Sequence, residues 1–254
     1  MSIMLVAKIR IIESEPAMIL DVDEKYLVIT DLHIGFENVL SSNKIFLGKN
    51  SSTKQITDNV KNLIHAENIN SVILLGDIKS SIKQITKNEW NDIPYFFDEI
   101  KKKSDVILVP GNHDANIQKL IPDEISMISS KGLIVDDVLF THGHSMPSEN
   151  FSSVNTIVMG HIHPVFFQED SLVNGQRVWI SLKTKKEIIF PSSTGEIEII
   201  VVPSFNPYFY ATKKRHYKKS ISPIIEKIKN DSIAKIITLD GTIIGNESKL
   251  QDLV

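Results

Sequence analysis

The sequence predicts a layered α/β protein, because short buried strands alternate with amphipathic helices along much of the chain. Five apolar runs are rich in β-branched residues and end abruptly at glycine or at polar residues, which is typical of buried strands. These runs are YLVIT (26–30), SVILL (71–75), DVILV (105–109), DVLFT (137–141) and TIVM (156–159). Strands and helices in alternation are the pattern of an α/β layer architecture.

Two segments between these strands have the periodicity of amphipathic helices. One lies between the first two strands and the other between the second and the third. Their apolar positions are Ile56, Val60, Leu63 and Ile64 in the first helix, and Trp90, Ile93, Phe97 and Ile100 in the second. Residues at this spacing fall on one helical face, so we expect each set to pack against a sheet.

Beyond residue 165 the pattern changes to strands. Asn174-Gly175 predicts a hairpin turn between Leu172-Val173 and QRVWISL, and IEIIVV reads as a strand before Pro203, so we expect a second sheet. From residue 211 the composition becomes basic, and then a weak amphipathic stretch and a hairpin signal at Asp240-Gly241 follow. We therefore expect a main domain over residues 1–210 and an appendage over residues 211–254.

Composition excludes several classes of function. The chain has 254 residues, 42% of them hydrophobic, enough for a large core in one or two domains. Its 28 Lys and Arg against 31 Asp and Glu give a net charge of −3, so no global basic field indicates nucleic acid. The absence of cysteine excludes disulfides, thiolate nucleophiles and Cys-ligated metals. Lys8 and Arg10 interrupt the apolar start too early for a signal or a membrane span, so we expect a cytoplasmic location.

Each predicted buried strand is followed at once by residues that bind metals. The clusters are Asp31-Leu32-His33, Gly76-Asp77, Gly111-Asn112-His113-Asp114, His142-Gly143-His144 and Gly160-His161-Ile162-His163. In open α/β sheets, ligands bind beyond the carboxyl ends of the strands, so five turns can converge on one site. D-x-H or G-D alone is usually a capped turn. GNHD and GHIH are more specific, because a strand end gains little stability from histidines.

This ordered set of motifs resembles the calcineurin-like metallophosphoesterase superfamily, over residues 26 to 165. The resemblance implies a sandwich of two sheets flanked by helices and a catalytic domain in residues 1–210. It also implies two divalent metal ions. One would be bound by Asp31, His33 and His163, the other by Asn112, His142 and His161, and Asp77 would bridge them.

The chemistry of phosphate ester hydrolysis agrees with this ligand set. Two divalent ions about 3.5–4 Å apart clamp the attacking and leaving oxygens, and a bridging carboxylate holds two cations that close. Ligands of this kind suit manganese, iron or zinc, and the likeness to nucleases favours manganese. His113 resembles the family's catalytic histidine, with Asp114 orienting its ring; the alternative is that both only support the metal ligands. His144 either contacts the phosphate or buttresses His142.

The substrate class depends on a weaker resemblance. Protein serine/threonine phosphatases usually carry GDxVDRG, whereas this chain reads GDIKSS and lacks the arginine. The segments YLVITDLHIGFE, GDIK and VVPSFNPYFY are more similar to small archaeal phosphoesterases related to DNA-repair nucleases. Relatives there often have histidine after the lysine, where this chain has Ser80. Lys79 is then the one candidate cation for the substrate phosphate in this motif.

Three functions stay open at this stage. The first is a phosphodiesterase or nuclease acting on DNA or RNA, with an ATPase or helicase as partner. In this case the basic run KKRHYKK (213–219) and nearby aromatic residues would contact nucleic acid. The alternative is that this run forms an ordinary solvated surface. The second is a phosphatase or phosphodiesterase for small molecules. The third is a non-enzymatic scaffold, which such folds become by losing ligands, although all seven ligand positions are kept here.

Overall fold

Two seven-stranded sheets pack face to face and carry helices on their outer surfaces. This computed structural model describes residues 4–6, 8–42, 44, 52–168, 170–209 and 222–247. The predicted two-sheet sandwich flanked by helices is therefore confirmed. Among the described residues, no helix is long and apolar enough to cross a membrane.

The first sheet has the strand order β1-β2-β3-β4-β5-β6-β7. Its strands are β1 (Met4–Val6), β2 (Ile9–Ile11), β3 (Met18–Asp21), β4 (Lys25–Ile29), β5 (Ser71–Leu74), β6 (Asp105–Leu108) and β7 (Ser126–Met127). The helices of this half are α1 (Glu37–Ser42), α2 (Ser52–Glu67) and α3 (Lys87–Ile100). Strands β4 to β7 are parallel, whereas β1 to β4 pair antiparallel. The predicted strands β4, β5 and β6 are confirmed.

The second sheet has the order β14-β13-β11-β12-β10-β9-β8. Its strands are β8 (Leu133–Val135), β9 (Val138–Thr141), β10 (Thr156–Met159), β11 (Val178–Lys185), β12 (Glu196–Val201), β13 (Ile233–Thr238) and β14 (Ile243–Glu247). Two short helices, α4 (Lys186–Ile189) and α5 (Pro223–Ile228), belong to this half. Strands β9, β10 and β12 are parallel, so their carboxyl ends lie at one edge. The predicted second sheet is confirmed.

The core has one layer between the sheets and one outside each of them. Val28 and Ile73 of the first sheet share the inner layer with Phe140 and Trp179 of the second, and all four are fully buried. The predicted face of α2 is buried as expected. In α3 the buried face is rotated toward Glu89 and Phe96, which leaves Trp90 49% exposed. The prediction that Trp90 faces the core is therefore wrong.

The predicted hairpin at Asn174-Gly175 and the predicted appendage 211–254 can both be compared with the structure. The turn at Asn174-Gly175 exists, but the predicted strand before it does not, because Leu172 is fully exposed and Val165 pairs with Arg177 instead. The segment expected to be an appendage supplies β13, which pairs antiparallel with β11, and β14 after the turn at Asp240-Gly241. Its described part is thus packed into the second sheet. The basic run 213–219 lies outside the described residues.

Candidate metal centre

The five predicted clusters meet at the carboxyl ends of parallel strands from both sheets. Register explains this convergence, because Ile29 of β4 is level with Leu74 of β5, which is level with Leu108 of β6. In the second sheet, Thr141 of β9 is level with Met159 of β10. Turns that leave neighbouring strands at the same height bring their side chains together, as expected for an α/β ligand site.

A first group of possible ligand atoms belongs to Asp31, His33, Asp77 and His163, and these atoms lie within 4.8 Å of one another. His163 Nε2 is 2.9 Å from Asp31 Oδ1 and 3.4 Å from His33 Nε2. His33 Nε2 is 3.8 Å from Asp77 Oδ2. Two carboxylates and two imidazoles at this spacing form a nitrogen and oxygen donor set for a divalent ion.

A second group shares Asp77 with the first and adds His142 and His161. His142 Nε2 is 3.3 Å from Asp77 Oδ1 and 3.2 Å from His161 Nδ1. The amide oxygen of Asn112 is 3.2 Å from the same His142 nitrogen, which places a fourth donor beside this group. Asp77 therefore turns Oδ2 toward the first group and Oδ1 toward the second.

Several ligand-type residues have a left-handed backbone, which non-glycine residues rarely adopt. The φ values are 56° at Asp31, 41° at His33, 50° at Asp77, 71° at His161 and 50° at His163. Such conformations cost about 1–3 kcal/mol each and persist only where the surroundings enforce them. Here the backbone N–H of Asp31 donates to Gly76 O at 3.1 Å, and that of His33 donates to Asp77 O at 2.9 Å.

Two glycines let the sheets approach each other at the site. A Cβ atom on Gly76 would lie 2.8 Å from Nδ1 of His142, on the opposite sheet. A Cβ atom on Gly160 would lie 2.7 Å from Asp31 Oδ2, again across the two sheets. Both distances are too short for a carbon, so these positions require glycine if the two ligand groups are to meet.

The Asp31 carboxylate has one oxygen occupied and one oxygen available. Its Oδ2 lies 2.9 Å from the Thr30 hydroxyl and accepts from the His161 backbone N–H at 3.0 Å. Its Oδ1 is buried, meets no hydrogen-bond criterion with the described residues, and has His163 Nε2 as a polar neighbour at 2.9 Å. A buried carboxylate oxygen that is not fully hydrogen-bonded is costly. A divalent cation among the first group would compensate it, so the residues present fit a metal ion.

The charge states of the site also suit a metal. Burial would raise the pKa of Asp77 and of Asp31, but neighbouring imidazoles, chiefly those of His142 and His163, lower both below their ordinary value. Burial lowers the pKa of His33 well below its ordinary range, and burial together with His142 lowers that of His161 to about 4. The carboxylates are therefore ionised and these two imidazoles are neutral at pH 7, which leaves lone pairs for coordination.

His142 is the exception among the imidazoles. Burial would lower its pKa, but the Asp77 carboxylate at 3.3 Å overrides burial and raises the pKa to about 9. Without a metal the ring therefore carries a proton at pH 7. A cation in the second group would take the place of that proton beside Asp77.

His113 lies beside both groups and is partly exposed. Its Nδ1 is 2.7 Å from the Ser80 carbonyl oxygen, and its Nε2 is 3.9 Å from Asp77 Oδ2. A carbonyl only accepts, so Nδ1 carries the proton and Nε2 is left for the site. The expectation that Asp114 orients this ring is wrong. The Asp114 carboxylate instead accepts from backbone N–H groups at residues 78, 79 and 111.

Lys79 and His144 were the two candidate contacts to substrate. Lys79 is fully buried, and its ammonium group donates to the carbonyls of Ser81 and Ile82, so the expected contact with a phosphate is not supported. The ring of His144 lies 5.3 Å from that of His142, between centroids. This position matches the alternative in which His144 buttresses His142.

Three residues that follow β12 also contact the ligand turns, and no motif in the sequence predicted a role for them. Ser204 donates its hydroxyl hydrogen to the Asp31 carbonyl at 2.9 Å, and the amide of buried Asn206 donates to the Leu32 carbonyl at 2.8 Å. Phe209 stacks on His33 with ring centroids 3.6 Å apart and 5° between the planes. The rule that located the other clusters applies here too, because β12 is a parallel strand that ends just before Pro203.

Comparison with known proteins agrees with this geometry. The profile of the calcineurin-like phosphoesterase family matches residues 24–189. The chain belongs to this family. The resemblance predicted from the motifs is thus confirmed, and this calcineurin-like phosphoesterase is a hydrolase acting on phosphoester bonds with a cluster of metal-binding residues. A search of curated protein sequences found no match.

Solved structures that are similar to this chain have low sequence identity to it. The nuclease MPE from Pseudomonas putida is 13% identical with a TM-score of 0.57, covering 94% of this chain and 96% of that one. YfcE, a phosphoesterase from E. coli, is 17% identical with a TM-score of 0.41, covering 88% of this chain and 98% of its own. An archaeal phosphodiesterase is 15% identical with a TM-score of 0.39, covering 72% and 86%. The first of these shows that the fold is common to both proteins.

Proposed function

We propose that this calcineurin-like phosphoesterase is a binuclear phosphodiesterase whose physiological substrate is DNA or RNA. The observation that supports two metals is the shared carboxylate of Asp77, with one oxygen turned toward each ligand group. Two divalent ions bound there would supply a water of lowered pKa and charge stabilisation for the attacking and leaving oxygens. We propose manganese as the metal, because the site offers nitrogen and oxygen ligands and the chain resembles nucleases.

The ligands divide into two sets around Asp77. Asp31, His33 and His163 would hold one ion, and Asn112, His142 and His161 the other. No protein nucleophile is needed by this chemistry, so the chain's own residues bind, orient and move protons. Thr30 and the His161 backbone occupy one Asp31 oxygen, which leaves the other for coordination.

His113 is the residue we propose as the proton donor to the leaving oxygen. Its Nδ1 proton is committed to the Ser80 carbonyl, and its Nε2 is the ring atom nearer to Asp77. In the protonated state, Nε2 holds a hydrogen that stabilises negative charge on the leaving group or is transferred to it. Such transfer by a positioned side chain accelerates reactions by about 10²–10⁴-fold.

A diester is favoured because nearby cationic side chains are already occupied. A monoester carries one more negative charge, which a dedicated cation normally meets. Lys79 donates to the carbonyls of residues 81 and 82, and the Arg177 guanidinium donates to those of Ser204 and Phe205. A diester carries one negative charge fewer, so it can be bound without a dedicated cationic side chain.

Nucleic acid is the diester we propose from two further indications. The Pseudomonas putida protein that shares the fold is named a nuclease. The run KKRHYKK at 213–219 would attract a phosphate backbone independently of its sequence. By resemblance to DNA-repair nucleases, an ATPase or helicase is the kind of partner we propose.

A substrate panel with manganese tests the proposal. It compares bis-p-nitrophenyl phosphate with p-nitrophenyl phosphate, and cyclic nucleotides with labelled single- and double-stranded DNA and RNA. We expect diesters to be cleaved faster than monoesters, and nucleic acid to bind with strong salt dependence. Faster monoester hydrolysis together with no salt-sensitive binding would instead indicate a small-molecule phosphatase.

A further inference from the structure

The turn that holds the partner of His113 is itself held by a buried carboxylate. Glu89, in the first turn of α3, is only 1% exposed. Its Oε1 accepts from the Ser81 backbone N–H at 2.8 Å, and its Oε2 accepts from the Ser81 hydroxyl and from the Thr86 N–H, both at 2.7 Å. The capping box of α3 explains the contact with Thr86. It does not explain the two contacts with Ser81.

A buried ammonium group donates hydrogen bonds to the same turn. Lys79 has no exposed surface, and its Nζ donates to the carbonyls of Ser81 and Ile82. Burying a charge is costly unless it is paired and fully hydrogen-bonded. Burial would raise the pKa of Glu89, but hydrogen bonds from Thr86 and Ser81 lower it, so the carboxylate is ionised. Two opposite buried charges thus act on one surface turn.

The turn between these charges carries the group that orients His113. Ser80 immediately precedes Ser81, and its carbonyl oxygen is 2.7 Å from His113 Nδ1. We infer that Lys79 and Glu89 are positioning residues for His113, which they orient by fixing the turn at residues 80–82. This inference rests on the proposed role of His113 as proton donor.

Apart from the two charges, few contacts fix this turn. The Ser80 N–H donates to the Ile34 carbonyl at 3.0 Å, the Ser81 hydroxyl also contacts the Gln84 carbonyl, and Ile82 is 54% exposed. A shift of the Ser80 carbonyl would turn the His113 ring or change which nitrogen carries the proton. A misplacement of about 1 Å at a reacting group costs about 100-fold in rate. The two charges therefore act on catalysis without contacting the substrate.

Glu89→Gln is the decisive variant. The shape of the side chain is kept, but its NH₂ group cannot accept, so one of the backbone N–H groups at Ser81 and Thr86 loses its partner. We expect kcat to fall about 10- to 100-fold for a diester with a poor leaving group, and much less for a nitrophenyl diester. Metal content should not change. Glu99→Gln, on the same helix but paired with Lys61 and Lys102, is the matched control and should leave kcat unchanged.

A double-mutant cycle with His113→Ala separates positioning from general structural support. If Glu89 acts through His113, Glu89→Gln should cause no further loss in the His113→Ala background. The ¹⁵N shifts of the His113 ring should also show a changed tautomer population in Glu89→Gln. A full additional loss in that background, or an equal loss for good and poor leaving groups, would overturn the inference.

If Glu89→Gln does not fold, Lys79→Met is the second variant. It removes the ammonium contacts with residues 81 and 82 at nearly constant side-chain shape, and it should give the same dependence on the leaving group. Failure of the inference also differs from failure of the proposed function. In the first case the kcat of His113→Ala is lowered for poor leaving groups, whereas the kcat of Glu89→Gln and Lys79→Met is not. In the second case His113→Ala itself is unimpaired, which removes the premise of the inference and so overturns both.

Discussion

Replacing Asp77 by asparagine should remove one metal site before the other. The His113 backbone N–H donates to Asp77 Oδ1 at 2.8 Å, and only an oxygen can accept there. The amide of Asp77→Asn must therefore keep its oxygen at the Oδ1 position, facing His142. Its NH₂ group then takes the Oδ2 position, which faces His33 at 3.8 Å. The group of Asp31, His33 and His163 would thus lose a metal ligand, and an N–H group that cannot bind a cation would take its place.

The size of the effect follows from that geometry. Outer-shell changes alone cost about 10- to 100-fold in metal affinity, so loss of a direct ligand should cost at least about 100-fold, or about 2.7 kcal/mol. With one ion missing, the loss of several kcal/mol of charge stabilisation should lower kcat about 10³-fold. Titration calorimetry and elemental analysis measure affinity and stoichiometry, and anomalous scattering shows which ion is left.

A surface substitution of the same kind is the control. Asp98→Asn on α3 makes the same chemical change at a residue whose side chain is 53% exposed, and should bind metal as the unaltered chain does. Retention of two ions at unchanged affinity by Asp77→Asn would refute the bridging role. Preferential loss of the ion beside His142 would refute the orientation of the carboxylate described above.

Three further experiments test the close approach of the sheets, the protonation of His142 and the basic run. Gly160→Ala places a carbon against Thr30 and 2.7 Å from Asp31 Oδ2. It should therefore destabilise the fold by about 1–3 kcal/mol and weaken metal binding, which thermal unfolding with and without manganese would measure. Because Asp77 raises the pKa of His142 to about 9, metal must displace a proton there; calorimetry should show affinity rising up to about tenfold per pH unit below pH 9. The protonated ring also stabilises the metal-free fold below about pH 6.5, and this contribution should be lost as the pH rises toward 9. Finally, the basic run can be neutralised at Lys213, Lys214, Arg215, Lys218 and Lys219. This should weaken nucleic-acid binding and flatten its salt dependence, while hydrolysis of a small diester is unchanged.

The position of the site was readable from sequence because one physical rule covers five turns. Parallel strands in register end at the same height, so polar residues that directly follow buried strands must meet. The same rule applied to β12 would have located Ser204 and Asn206, which hold the turn between Asp31 and His33. Both Ser204 and Asn206 lie in VVPSFNPYFY, a segment that carries part of the family resemblance.

Other features depend on contacts that no sequence pattern carries. His113 is oriented by a backbone carbonyl, and every residue has one, so Ser80 had no distinguishing signal. Lys79 follows a ligand aspartate in a motif, yet its side chain is buried, and its ammonium group donates to the carbonyls of residues 81 and 82. Trp90 has the spacing of a core residue, but the buried face of α3 includes Glu89 and Phe96 and leaves Trp90 exposed.

Crystals of the manganese-loaded chain, measured at the manganese absorption edge, test most directly whether two metal ions share Asp77. We expect two anomalous peaks about 3.5–4 Å apart on either side of the Asp77 carboxylate, with two ions per chain by elemental analysis. One peak per chain in a saturated, well-ordered site would contradict the sharing of Asp77.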